Sequence, residues 1–266
     1  MTRRSNAPPV VLSIAGYDPS SGAGVTADVK TAAAHGCFAA TCITALTVQS
    51  TRGVLRVEPV NAETVRQTLD ELAKDFSIAA VRIGMLATGA IAGVVADFLS
   101  RTHLPNVVLD PIIVSSSGAA LVDDAGLRVI RERLIPASAV VTPNAAEAAA
   151  LTGIDVLDRE SQVRAARALL RMGARAAVVT GGHLEEAADL LAWSDGERAF
   201  VAPKIQSKST HGTGCAFATS IACSLALGSD TAEAVEFAKS YVRGAIAAAQ
   251  PMGHGTGPME HLWNLR

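Results

Sequence analysis

Aromatic residues are scarce, 4% of the 266-residue sequence, while apolar residues reach 49%. The core must therefore be built from Ala, Val, Leu and Ile, the usual filling of a buried parallel sheet covered by helices. An excess of one charge is missing too. The net charge is −2, and basic and acidic residues are interleaved without a basic run, so nucleic-acid binding has no electrostatic footprint. The four cysteines (Cys37, Cys42, Cys215, Cys223) form no C-x-x-C pair. A chain this long needs no disulfide staples, so reduced thiols in a cytosolic protein are expected, and no nearby His pairs support zinc. The N-terminal "MTRRSNAPPVVLSIAG" has no long apolar region or small-residue cleavage site and is not read as a signal peptide. Two uncharged stretches, Thr31–Thr51 and Gly212–Ser229, approach membrane-spanning length. Their glycines and hydroxyl, His or Gln residues mark them as buried segments, so no membrane partner is expected. No G-x-x-x-x-G-K-[ST] loop, G-x-S-x-G elbow or complete dinucleotide fingerprint is present, which removes P-loop ATPases, α/β-hydrolases and nicotinamide oxidoreductases.

What is present is alternation. Short β-branched runs at 10–16, 40–49, 79–85, 106–111, 139–144 and 176–182 end near Gly, Pro, Asn or Asp and read as buried strands. Between them lie helix signals. Asn61 caps a segment with Ala62, Val65, Leu69, Leu72 and Phe76; Asp158 begins another that Gly173 closes; Asp230 with Glu233 makes a capping-box variant. The stretch 190–203 reads as an edge hairpin around Asp195-Gly196. This pattern predicts right-handed βαβ units, a mostly parallel sheet with helices on both faces, and a single domain over residues 1–266. Ligands in such folds bind outside the carboxyl ends of the strands, so the strand-ending motifs are the place to look.

"GYDPSSGAG" (16–24) joins a strand to a helix starting near Val25, and its glycines allow close backbone approach to a ligand. Gln49 ends the second strand as a neutral donor–acceptor, suited to a heterocycle edge or to a satisfied strand end. Met85 packs against a ligand face or fills core. Asp110 stands at the mouth of an apolar strand, and Asn144 and Glu147 share one face of a first helical turn. Those oxygens suit Mg²⁺ beside a phosphate, or a plain capping box. "HGTGCAFA" (211–218) is the strongest local signal. The amides of Gly212, Thr213, Gly214 and Cys215 can form a nest for developing phosphate charge, with Lys208 upstream as a mobile cation. Cys215 is either a small core residue or a thiol whose pKa the helix start lowers. Cys223, deeper in the same helix, reads as core.

Together "GYDPSSGAG", "ALTVQSTRGV", "RIGML", "VVLDP", "TPNAAEA", "GGHL", "KSTHGTGC" and "GHGTGP" resemble, in order, the bacterial hydroxymethylpyrimidine/phosphomethylpyrimidine kinases of thiamine biosynthesis, in the ribokinase-like superfamily. The likeness runs from Val10 to Pro258. It implies a three-layer α/β/α fold and transfer of the ATP γ-phosphoryl to 4-amino-5-hydroxymethyl-2-methylpyrimidine and then to its monophosphate. It implies that Gln49 binds the pyrimidine, with Gly16, Asp28 and Met85 shaping the pocket. Asp28 would accept from the exocyclic amine. Asp110, Asn144 and Glu147 would serve Mg²⁺ and the triphosphate, with Thr180 and Lys208 also on the ATP side. Gly212–Gly214 would be the anion hole, Cys215 the catalytic base and thiolate at neutral pH, and the assembly a homodimer. Relatives commonly carry Lys where Thr180 stands, so this chain lacks one positive charge for the second phosphorylation, and Lys208 is the cation placed to compensate. Pyridoxal kinase activity on a related fold and a non-catalytic pyrimidine-binding module are the alternatives.

Overall fold

The computed structural model describes residues 7–115, 118–182 and 188–265. Met1–Asn6, and His183 and Leu184 of the "GGHL" motif, lie outside them, so the readings made there stay with the sequence. The elements are β1 (Val10–Tyr17), α1 (Gly24–Ala34), β2 (Phe38–Ser50), β3 (Gly53–Pro59), α2 (Ala62–Asp75), β4 (Ile78–Ile83), α3 (Gly89–Thr102), β5 (Val107–Leu109) and α4 (Asp124–Val129). They continue with α5 (Ile135–Ala137), β6 (Val140–Val141), α6 (Ala145–Thr152), α7 (Arg159–Arg171), β7 (Ala176–Val179), β8 (Ala188–Trp193), β9 (Gly196–Val201), α8 (Thr213–Ala226) and α9 (Thr231–Ala247). One sheet runs in the order β3-β2-β1-β4-β5-β6-β7-β8-β9. Strands β2, β1, β4, β5, β6 and β7 are parallel, and antiparallel hairpins close both edges.

Side-chain alternation splits the core in two. Leu12, Ile14, Val81, Ile83, Leu109, Val141 and Val179 face α2, α3, α6 and α7. Val11, Ala80, Val108, Val140 and Val178 face α1, α8 and α9. The expected three-layer arrangement is what forms, because the central parallel strands bury largely apolar side chains on both faces. The expected caps form as well. Asn61 accepts from Glu63 N, and Asp158 and Asp230 close capping boxes with Ser161 and Glu233. Among the described residues no helix is long and apolar enough to cross a membrane.

Three expectations change. The run at 40–49 extends to 38–50 and turns back through β3, a second hairpin that the alternation did not reveal. The runs at 106–111 and 139–144 shrink to Val107–Leu109 and Val140–Val141, as the chain leaves the ladder ahead of Pro111 and Pro143, which carry no N–H. In the β8–β9 hairpin the turn is Ser194–Asp195, and Gly196 pairs with Trp193.

Candidate active site

The alternation that sets Val11, Ala80 and Val108 beneath α1 and α8 also sets Ser13, Arg82 and Asp110 there, two positions onward. Ser13 lies opposite Arg82 in the β1–β4 register. Arg82 is fully buried, with Nη1 3.1 Å from Asp28 Oδ2 and Nη2 2.6 Å from Asp110 Oδ2. A Cβ at Gly84 would stand 2.1 Å from Nη1, so the guanidinium folds along the strand only because that glycine makes room. Asp28 is thereby spent. Its Oδ2 also accepts from Ser13 Oγ at 2.5 Å, and its Oδ1 accepts from Thr219 Oγ1 at 2.7 Å. The expectation that Asp28 meets the substrate amine fails on this geometry: the carboxylate is wholly buried and held by the chain's own donors.

Helix α8 starts after Gly212, whose φ of 82° is left-handed, and no side chain caps it. Its first-turn amides are therefore free of a protein carboxylate or hydroxyl, the Thr213 amide making only a long 3.4 Å bond to Thr210 O, as an anion hole requires. Cys215, 6% exposed, takes a hydrogen bond from the Gly24 amide and reaches Arg82. The helix start was expected to hold Cys215 as a thiolate. Burial instead pushes it up to about 11, Arg82 opposes that, and Asp110 and Asp28 add to it. In this protein Cys215 rests as a neutral thiol at neutral pH.

The two glycine motifs meet. A Cβ on Gly212 would sit 1.7 Å from Gly22 O, and one on Gly22 would sit 2.2 Å from His211 Cδ2. Asp18 organises the first loop, accepting from the amides of Ser20, Gly22 and Ala23 and from Ser20 Oγ. Burial would raise Asp18, but the bonds from His211, Ser20 and Ala23 outweigh it and hold the carboxyl at about 2. His211 Nε2 lies 2.7 Å from Asp18 Oδ2 and 3.2 Å from Gln49 Nε2. Gln49 thus stands at this junction, half-buried. Gly16 and Met85 also meet: a Cβ on Gly16 would lie 2.4 Å from Met85 Cε.

On the other side, Asn144 and Glu147 form the reciprocal capping box at 2.9 and 3.0 Å. Glu147 is nonetheless buried, and burial together with the charge of Asp110 pushes it up to about 8. Burial also raises Asp110 to about 6 against the pull of Arg82, with Asp28 adding. Asn144 bridges Thr180, whose amide donates to Pro143 O at 2.9 Å; Thr180 is half-buried, and Lys208 is exposed on the loop ahead of α8. Among the described residues no group of three or more His, Cys, Asp or Glu could enclose a metal. Two buried carboxylates that resist ionising together still match Mg²⁺, which takes one or two carboxylates and keeps water. A cavity of about 430 Å³ lies elsewhere, lined by Asn106, Arg175, Trp193 and Asp230 at the amino end of the sheet, opposite these residues.

Sequence reasoning passed over Asp18, Arg82 and His211. A lone arginine in an apolar strand two residues before glycine was a legible signal, since a charge there must be paired. Asp18 in Gly-x-Asp-Pro carried the mark of a side chain folding back on its own loop. Nothing local marks which group His211 faces.

The sequence profile of the phosphomethylpyrimidine kinase family matches residues 18–260. A hydroxymethylpyrimidine/phosphomethylpyrimidine kinase from Streptomyces coelicolor is 43% identical, covering 97% of this chain and 96% of its own. The Escherichia coli protein of the same name is 40% identical over 94% of this chain and 96% of its own. The crystal structure of a Clostridium difficile phosphomethylpyrimidine kinase superposes with TM-score 0.81 at 32% identity, covering 90% of this chain and 99% of that one. A Staphylococcus aureus pyridoxal kinase in complex with AMP-PCP and pyridoxal superposes at 0.89 and 27% identity, covering 98% and 96%.

Proposed function

The chain belongs to the phosphomethylpyrimidine kinase family, and on that premise we propose that it transfers the γ-phosphoryl of ATP to the hydroxymethyl oxygen of 4-amino-5-hydroxymethyl-2-methylpyrimidine, then to the resulting monophosphate. The observation that carries this reading is a single junction. The uncapped start of α8 brings Cys215 beside Asp110 and Arg82, while the same loop carries His211 to Gln49. Gln49, Gly16 and Met85 form the ring side, and Asn144, Thr180 and Lys208 form the nucleotide side. The amides of Gly212, Thr213 and Gly214 face the transferred group. Cys215, buried as a thiol at rest, first gives up its own proton to solvent, and in its thiolate form it accepts the hydroxymethyl proton during attack on phosphorus. Such a step depends mainly on positioning and charge, so a modest base suffices.

Asp110 and Glu147 are the residues that would hold Mg²⁺, and the ion would supply positive charge against the phosphates. This has a consequence for stability. Both carboxyls are raised in the folded chain, so their contribution is full below the unfolded range near pH 4 and is lost as pH rises through about 6 and about 8. Added Mg²⁺ should therefore raise the melting temperature more at pH 8.5 than at pH 5. Equal shifts at both pH values in a thermal-melt series would count against these two ligands.

Pyridoxal is the second substrate to test, because pyridoxal kinases superpose with TM-scores of 0.88 and 0.89. Their identities of 29% and 27% stand below the 43% of the first pyrimidine kinase relative. ADP release measured with the aminopyrimidine, its monophosphate and pyridoxal side by side decides. We expect turnover of the first two, slower for the monophosphate because Thr180 brings no charge. No ADP with any of the three would leave a non-catalytic binding module. A homodimer and a cytoplasmic location belong to the same reading. Exposed Leu46, Val48 and Leu55 on the β2–β3 hairpin support the first, and four free thiols support the second.

A further inference from the structure

Two separate hydrogen-bond conflicts meet at Gln49, and one arrangement resolves both. Thr47 Oγ1 lies 3.0 Å from Tyr17 O and 3.1 Å from Gln49 Oε1. A hydroxyl has one proton, and a carbonyl can only accept. Thr47 can therefore donate to only one of them; when it donates to Tyr17 O, the nearer acceptor, it can only accept from Gln49, and the amide NH₂ then faces Thr47. At the other end, an ionised Asp18 is acceptor-only, so His211 Nε2 must carry a proton at 2.7 Å. With Gln49 Nε2 at 3.2 Å from that nitrogen, donor would face donor. A half-turn of the amide puts the Gln49 oxygen against His211 and its nitrogen against Thr47, and every group is then satisfied.

The geometry points to a relay, Asp18 to His211 to Gln49 to Thr47, in which His211 is a positioning residue that locks the Gln49 amide in one polarity and so selects the substrate ring. Each link follows from the one before. Asp18 is fixed by the loop amides it accepts from, and it sets the tautomer of His211. His211, 12% exposed at its side chain, offers one proton shared between Asp18 and the Gln49 oxygen. Gly22 leaves the space the imidazole occupies. A free glutamine turns over at little cost and serves an acceptor or a donor equally. A locked one has a fixed carbonyl side and a fixed N–H side. It complements a ring edge with an amino donor next to a ring-nitrogen acceptor, as in a 4-aminopyrimidine. A hydroxypyridine such as pyridoxal offers no such adjacent pair. The polarity rests on these distances and on the charge of Asp18, whereas its use in choosing substrate rests on the kinase activity proposed above.

Three variants of the full chain and one spectrum test the relay. His211→Phe removes the donor. It should raise KM for the aminopyrimidine about tenfold, the size of one hydrogen bond, with kcat within about twofold, and should narrow the preference over pyridoxal by the same factor. His211→Gln places an amide nitrogen near the same point and still donates to two acceptors, so it should restore both KM and preference. Asp18→Asn keeps the shape but lets His211 accept, reversing the relay, and should resemble His211→Phe. An unchanged KM in His211→Phe, or a His211→Gln variant as impaired as the Phe variant, overturns the proposal. Histidine-labelled NMR on the ligand-free protein, with His211→Gln to assign the signal, should show Nε2 protonated. An unprotonated Nε2 overturns the relay whether or not any substrate turns over. If the wild type shows a protonated Nε2 but no activity on the aminopyrimidine, the relay stands and the proposed function falls.

Discussion

Cys215→Ala should lower kcat by ~10²–10⁴-fold, the usual worth of a general base, with little change in KM for ATP or the pyrimidine. The reason is positional. Cys215 sits in the first turn of an uncapped helix, beside Arg82 and next to the Gly212–Gly214 amides, so its sulfur and the anion hole come from one turn of chain. Its pKa gives a second readout. Burial holds the resting thiol up at about 11, well above neutral pH. If the thiolate is the base, log kcat should climb with pH through the range 7 to 9.5, because each step upward frees more thiolate. The alanine variant should lose that slope. Near-normal turnover in the variant, or a flat wild-type profile that the variant shares, would reduce Cys215 to a small buried residue at the start of α8.

Arg82→Met should cost the fold about 3–5 kcal/mol, the range for breaking a buried ion pair from one side. Asp28 and Asp110 would remain in the interior facing each other without a counter-charge. Methionine matches much of the volume, so the loss would be electrostatic rather than a cavity. The sign with pH follows. Acid lets Asp110, already raised to about 6, take up a proton, so the variant should be least stable relative to wild type at pH 8 and recover towards pH 5. Adding Asp28→Asn should return part of the loss, since one of the two stranded charges is gone. Chemical denaturation of the three proteins at both pH values measures this. A single variant as stable as wild type, or a double variant that is worse than additive, would show that Arg82 does not neutralise this pair.

The candidate site was legible in unequal parts. Gly212, Gly214 and Gly22 were readable because their backbone roles need no partner to be known. Asn144 and Glu147 were readable as a pair from helical spacing, and their capping box formed. What spacing could not show is that Glu147 is also buried against the charge of Asp110, from a different strand. Asp28 was misplaced for the same kind of reason. Its identity suits an exocyclic amine, but whether it faces ligand or core depends on Ser13, Arg82 and Thr219, which come from β1, β4 and α8.

From residue order alone come the strand–helix alternation, the apolar character of both strand faces, the helix caps and the set of motifs at the carboxyl edge. These follow from local physics: periodicity, capping and the conformational freedom of glycine act over a few residues. Tertiary structure alone decided that Cys215 rests as a thiol, that Asp28 pairs with Arg82, and that His211 spans Asp18 and Gln49. Each of those depends on desolvation and on charges brought together from distant parts of the chain. Burial and proximity set the protonation and polarity of a group, and neither is a property of its neighbours in sequence.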